Sequence, residues 1–147
     1  MPVVARPLEP LFSDLVFHEL DPSVGYAREC INVTPPAASA PVLLGTVVFR
    51  AAGVDPAAAY AVLVNASDIV ATNEFAVVFG DAFGFNASYV PNAVTAGVFN
   101  SVAFKRGPVQ LKDYYIKLRH ANLNATQFAS LKEVLKKQGV IVELTVA

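Results

Sequence analysis

Residues 123–144 constrain this chain more tightly than any other stretch. Asn124 is a good N-cap, and Gln127 follows three residues later at capping-box spacing. Leu123 precedes the cap, and Phe128 sits where it can staple back onto it. Beyond Phe128, the apolar positions Leu131, Val134 and Leu135 share one helical face, while Lys132, Glu133, Lys136 and Lys137 take the other. The lysines of the last turns offset the helix dipole, and Gly139 offers a left-handed stop. The short β-branched run that follows reads as a buried strand. A helix that caps itself and feeds a strand is a packing unit. Leu123, Phe128, Leu131, Val134 and Leu135 are therefore expected to form the structural core of that helix.

The chain of 147 residues is long enough for one domain with a real core. It is 54% hydrophobic and only 16% charged, against roughly 25% in ordinary soluble domains. Two readings follow: a compact domain rich in alanine and valine, or apolar surface buried against other subunits. A net charge of −1 gives no global drive toward nucleic acid or anionic membrane. The charge is uneven. Residues 1–40 carry five acids against two bases, net −3, and residues 103–137 carry eight bases against two acids, net +6. Cys30 is the single cysteine, so no disulfide forms within the chain. The first residues lack a basic start followed by an apolar run, so no signal peptide is expected, and no apolar stretch reaches the length of a membrane span. Asn-x-Ser/Thr triplets at Asn32, Asn65, Asn86 and Asn124 are expected to serve as unmodified turn and cap residues.

Residues 1–41 hold seven of the ten prolines. Proline fixes φ and removes a donor, so an extended arm is expected there. The arm also carries Leu11, Phe12, Leu15, Val16, Phe17, Leu20, Tyr26 and Ile31, too apolar for free solvent. It either docks onto another chain by strand addition or folds back over its own domain. The rest, residues 42–147, reads as the body. Strands are expected at residues 42–49, bent at Gly45, and at 60–64, 74–79 and 84–90, with turns between them. Short strands at this spacing predict a small barrel or sandwich. Residues 97–100 and 102–104 read as strand pieces. Residues 111–120 fit a helix with Leu111, Tyr114, Tyr115 and Leu118 on one face, and fit an edge strand equally well.

Little chemistry is present. His18 and His120 do not make a pair at metal-ligand spacing. There is no nucleophile elbow, phosphate loop or zinc-protease motif. Asp55, Asp68 and Asp81 lie in turns, where aspartate serves the backbone. No catalysis and no cofactor are expected. The basic residues Lys105, Arg106, Lys112, Lys117 and Arg119 interleave with Tyr114 and Tyr115, but a solvated or subunit-facing surface is favoured over single-strand binding.

The layout of Pro56 through Val64, then Asp68-Ile-Val-Ala-Thr72, then the apolar strand from Phe75 to Gly80, resembles the lambda-type phage head decoration proteins. In that family a short strand leads to a DxxAT-like turn and on to an apolar strand ending in glycine. Asn124-Ala-Thr-Gln127, the helix, and the Gly139-aliphatic strand resemble the family's C-terminal helix and strand. The resemblance covers residues 42–90 and 123–144; residues 91–122 depart from the pattern and read as an insertion. It implies a mainly β (α+β) fold with one C-terminal helix, a small β-barrel, β-clip-like or β-tulip body, and an extended N-terminal arm. It further implies a non-enzymatic homotrimer on the outer surface of the phage head, with the major capsid protein as partner and neither nucleic acid nor membrane bound. The arm residues named above would contact the capsid. Another virion role, such as a tail or fibre-base subunit, and a small trimeric enzyme acting on a nucleotide are the alternatives.

Overall fold

The computed structural model describes residues 15–19, 27–36, 42–81 and 99–143. Seven strands come first: β1 (Val16–Glu19), β2 (Arg28–Thr34), β3 (Val47–Arg50), β4 (Tyr60–Val62), β5 (Glu74–Asp81), β6 (Phe99–Phe104) and β7 (Val109–Lys112). Two helices follow, α1 (Asp113–Arg119) and α2 (Ala125–Lys137), and then β8 (Val140–Glu143). The fold is mostly β, as expected, but the described residues carry two α-helices rather than one.

Five strands close into a barrel in the order β2–β4–β3–β5–β6. β6 returns antiparallel to β2, from Arg28 opposite Phe104 to Val33 opposite Phe99. The remaining strands form a second sheet, β1–β7–β8. There β1 is antiparallel to β7, and β8 is parallel to β7 from Val109 opposite Val140 to Lys112 opposite Glu143. A parallel pair needs a long crossover, and α1 and α2 supply it.

Two apolar cores result. Ile31, Val33, Val48, Tyr60, Ala76, Val78 and Ala103 come from all five barrel strands and fill its interior. Their sequence neighbours Val47, Phe75, Val77, Phe79 and Phe104 belong to an outer core. Strand side chains alternate faces, so these residues point out of the barrel. They join Leu15, Val109, Leu111, Ile116, Phe128, Leu131, Leu135, Val140 and Val142 from the second sheet and the helices. Each large side chain buried this way contributes about 1.5–3 kcal/mol.

The C-terminal unit forms as its sequence predicts. Asn124 accepts from the Gln127 backbone N–H at 2.9 Å, and the Gln127 side chain accepts from the Asn124 N–H at 2.9 Å. Phe128, Leu131 and Leu135 are buried, with Leu123 and Val134 half-buried against the same core. Gly139 has φ +85° and leads into β8. It also abuts Gly107: a Cβ on Gly107 would lie 1.8 Å from the Gly139 carbonyl oxygen. Gly45 bends the chain at φ +90°, and the strand begins only at Val47.

Other expectations need correction. Of residues 111–120, read as a helix or an edge strand, 113–119 form the helix, whereas Leu111 belongs to β7. β7 ends at Lys112 and α1 begins at Asp113, burying Asp113 and Ile116 while Tyr114 and Leu118 face outward, 57% and 51% exposed. Leu111, Tyr114, Tyr115 and Leu118 therefore do not share a buried face. Within residues 91–122, read as an insertion, residues 99–119 supply β6, β7 and α1, and so belong to the frame. The expected strand at 84–90 lies outside the described residues. Asn32 is no turn residue: it sits in β2 and accepts from the Asn100 side-chain amide at 2.9 Å.

Candidate functional site at the root of the arm

β1 is the edge strand by which the N-terminal stretch joins the body. Leu15, just before it, is fully buried in the outer core, and Val16 packs against that core half-buried. The register with β7 slips between Val16 and His18. The residue at the slip, Phe17, is 67% exposed. Glu19 closes the strand and is buried. Arg28 of β2 holds its carboxylate with Nε at 3.0 and 3.1 Å and Nη2 at 2.7 Å. The Arg28 guanidinium also lies 5.7 Å from the Phe79 ring centroid. This forked, charge-assisted contact ties the small sheet to the barrel at the arm's root.

The structure divides the arm residues that the sequence singles out. Leu15 and Ile31 do not face outward: each is buried in a core of this chain, Leu15 in the outer core and Ile31 in the barrel. The boundary expected at residue 41 therefore moves, because residues 15–19 and 28–34 are strands of the body. Phe17 remains available on the surface. Leu11, Phe12, Leu20 and Tyr26 lie outside the described residues.

The basic segment is engaged largely with its own chain. Glu29 accepts from Lys105 at 3.2 Å and Arg106 at 2.8 Å. Arg119 Nε donates to the Leu44 carbonyl at 3.0 Å, with its guanidinium 5.5 Å from the Tyr115 ring centroid. Lys117 Nζ pairs with the buried Asp113 carboxylate at 2.6 Å.

Three polar ties go unsignalled in the sequence. His120, next after α1 and 3% exposed, accepts the Val47 backbone N–H on Nε2 at 2.8 Å. Burial pushes its imidazole down to about 4, a hydrogen bond with the Leu63 backbone opposing, so the ring is neutral near pH 7. Gln138, after α2, substitutes for a strand. Its Oε1 accepts from the Phe75 N–H at 2.8 Å, and its Nε2 donates to the Phe75 carbonyl at 2.8 Å and the Lys105 carbonyl at 3.0 Å. At the start of β5, Glu74 Oε2 accepts from Arg50 Nε at 2.9 Å, Arg50 Nη2 at 2.7 Å and the Tyr60 hydroxyl at 3.2 Å. The Arg50 hydrogen bond holds the Glu74 carboxyl below its usual range, and burial drives the Tyr60 phenol upward. Each links segments far apart in sequence, which no local motif encodes. Asp55 behaves as read: its carboxylate accepts the Ala57 N–H at 2.8 Å in a turn.

A groove of about 460 Å³ lies between α1 and α2, bordered by Lys117, His120, Leu123, Phe128, Ala129 and Lys132. Among the described residues, no group of three or more His, Cys, Asp or Glu is placed to hold a metal ion, and no helix is long and apolar enough to cross a membrane. The architecture is thus a closed five-stranded barrel backed by a three-stranded sheet and two helices. In comparisons with known proteins, no family model, curated protein or solved structure matches the chain.

Proposed function

We propose that this chain is a phage head decoration protein. It binds the outer surface of the expanded capsid as a homotrimer at local threefold positions and cements the shell against the pressure of packaged DNA. It makes and breaks no bond and holds no cofactor. The observation that carries this reading is the root of the arm. An apolar, proline-punctuated stretch precedes a strand that is clamped to the barrel through Glu19 and Arg28 and presents Phe17 outward. A segment rooted on a rigid edge strand transmits load from whatever it grips to the body.

Leu11, Phe12 and Phe17 then serve as the anchors toward the major capsid protein, with Leu20 and Tyr26 beside them. Ordering an extended segment costs about 1–2 kcal/mol per residue in backbone entropy, which the buried anchors must offset. Three arms on one trimer act together, because a detached arm stays at high effective concentration. The low charge fits apolar surface covered by other copies and by the shell. The internal pairing of Lys105, Arg106, Lys117 and Arg119 supports a role without nucleic acid.

The test is to mix purified protein with expanded heads that lack it and sediment the heads. Saturable co-sedimentation, reaching three copies per local threefold position, is expected. Failure to bind, or binding confined to a single vertex in particle images, contradicts the proposal.

A further inference from the structure

We propose that the groove between α1 and α2 is a docking site for residues 8–14 of the same chain. The groove's floor is apolar, from Leu123, Phe128 and Ala129, and lysines border it. Lys117 Nζ lies 2.6 Å from the Asp113 carboxylate and 5.4 Å from the Phe128 ring centroid, so Asp113 already offsets its charge. His120 spends Nε2 on the Val47 N–H. Lys132 therefore gives the groove its positive sign. Tyr114 and Leu118, one turn apart, add exposed apolar surface on the outer face of α1. Val64, 49% exposed, follows where its carbonyl accepts from Asn122 at 2.7 Å.

Such a surface takes an extended segment that interleaves large apolar side chains with carboxylates. Residues 8–14 are Leu8, Glu9, Pro10, Leu11, Phe12, Ser13 and Asp14: three large apolar groups, two acids and no base. Of the other stretches outside the described residues, 37–41, 82–98 and 144–147 carry no charged side chain, 1–7 carries only the base Arg6, and 20–26 joins β1 to β2 with too few residues to leave them.

The topology delivers the segment to the site. β1 runs antiparallel to β7 with Val16 opposite Leu111. The chain before Leu15 therefore leaves the sheet beside Lys112, where α1 begins. α1 has seven residues, a rise of about 10 Å. Seven extended residues reach up to about 24 Å. The segment thus spans α1 and enters the groove at its far end, while Pro10 keeps it from coiling into a helix. The docked state is that of the free protein, and on the shell the same Leu11 and Phe12 leave the groove for the capsid; because the test contains no heads, this proposal and the capsid reading fail separately.

The test uses the full chain with Cys30→Ser and two new cysteines, Leu11→Cys and Ala129→Cys. Oxidation in dilute solution should give an intrachain disulfide at least tenfold faster than Leu11→Cys paired with Ala57→Cys on the exposed β3–β4 turn. Lys132→Glu should slow it several-fold, and adding Glu9→Lys should restore it. Equal rates at positions 129 and 57, or linkage only between chains, overturn the proposal; the second outcome would assign the groove to a neighbouring copy. Circular dichroism checks each fold. Should a cysteine variant misfold, hydrogen exchange on the unmodified chain decides: amides 11–14 should exchange at least tenfold more slowly than in Lys132→Glu, and equal exchange rejects the site.

Discussion

The barrel interior and the outer core are built from the same strands, yet from different residues. Val48, Ala76, Val78 and Ala103 point into the barrel, and their neighbours Val47, Phe75, Val77, Phe79 and Phe104 point out. The inside is lined by small side chains around one large ring, Tyr60. The outside carries phenylalanines that bridge to leucines and isoleucine of the second sheet and the helices. A five-stranded barrel encloses little space, so bulk belongs on its outer face. The large outer core, which roots the arm through Leu15, should therefore dominate stability, and the barrel should be limited by volume.

The largest expected effect is in the outer core. Leu131→Ala removes a fully buried side chain and should cost about 2–5 kcal/mol by urea denaturation. Next comes the clamp between the two layers. Glu19→Ala leaves the Arg28 cation half-buried and should cost about 3 kcal/mol, the low end for breaking a buried pair, since the Arg28 side chain keeps 21% exposure. Of similar size is the acid response. His120 has a folded pKa of about 4 against an ordinary 6.5, so the unfolded chain binds the proton more tightly. Its contribution is full above pH 6.5 and is lost as pH falls toward 4, on the order of 3 kcal/mol. The depressed Glu74 carboxyl adds to the same acid loss, at still lower pH. Stability curves of His120→Leu should be flatter over pH 4–6.5. In the barrel, Ala76→Leu should cost about 1–3 kcal/mol by overpacking. If it instead stabilised the fold, the barrel would hold spare volume and the contrast between the cores would fail. Smallest is the cap: Asn124→Ala should lower stability by about 1 kcal/mol.

What could be read from the sequence follows the same contrast. α2 was legible to its caps, because capping box, apolar face and terminal glycine are all local. β3 and β5 appeared as apolar runs without alternation, since both of their faces are buried. Their pairing order, with β2 parallel to β4, left no local trace. Residues 28–34 were hidden by the neighbouring prolines, which made a barrel strand look like arm. α1 stood undecided between helix and strand, and its apolar face was misread, because it buries Asp113 and Ile116 and exposes Tyr114 and Leu118, against the hydrophobic pattern. Of the arm anchors, sequence composition identified apolar residues but not their direction: Leu15 and Ile31 point inward and Phe17 outward. His120 reaches Val47 across 73 residues, Gln138 reaches Phe75 across 63 and Lys105 across 33, and Arg50 reaches Glu74 across 24, beyond the reach of any motif.

Binding of a chain lacking residues 1–14 to expanded heads tests the central claim most directly. The truncation keeps Leu15, Glu19 and every described strand, so it should still fold cooperatively, losing only the stability that residues 8–14 add by covering the groove. Its affinity for heads should fall by at least a hundredfold, as three arms are lost from each trimer. Undiminished decoration of the heads by the truncated protein would contradict the claim that the arm grips the shell.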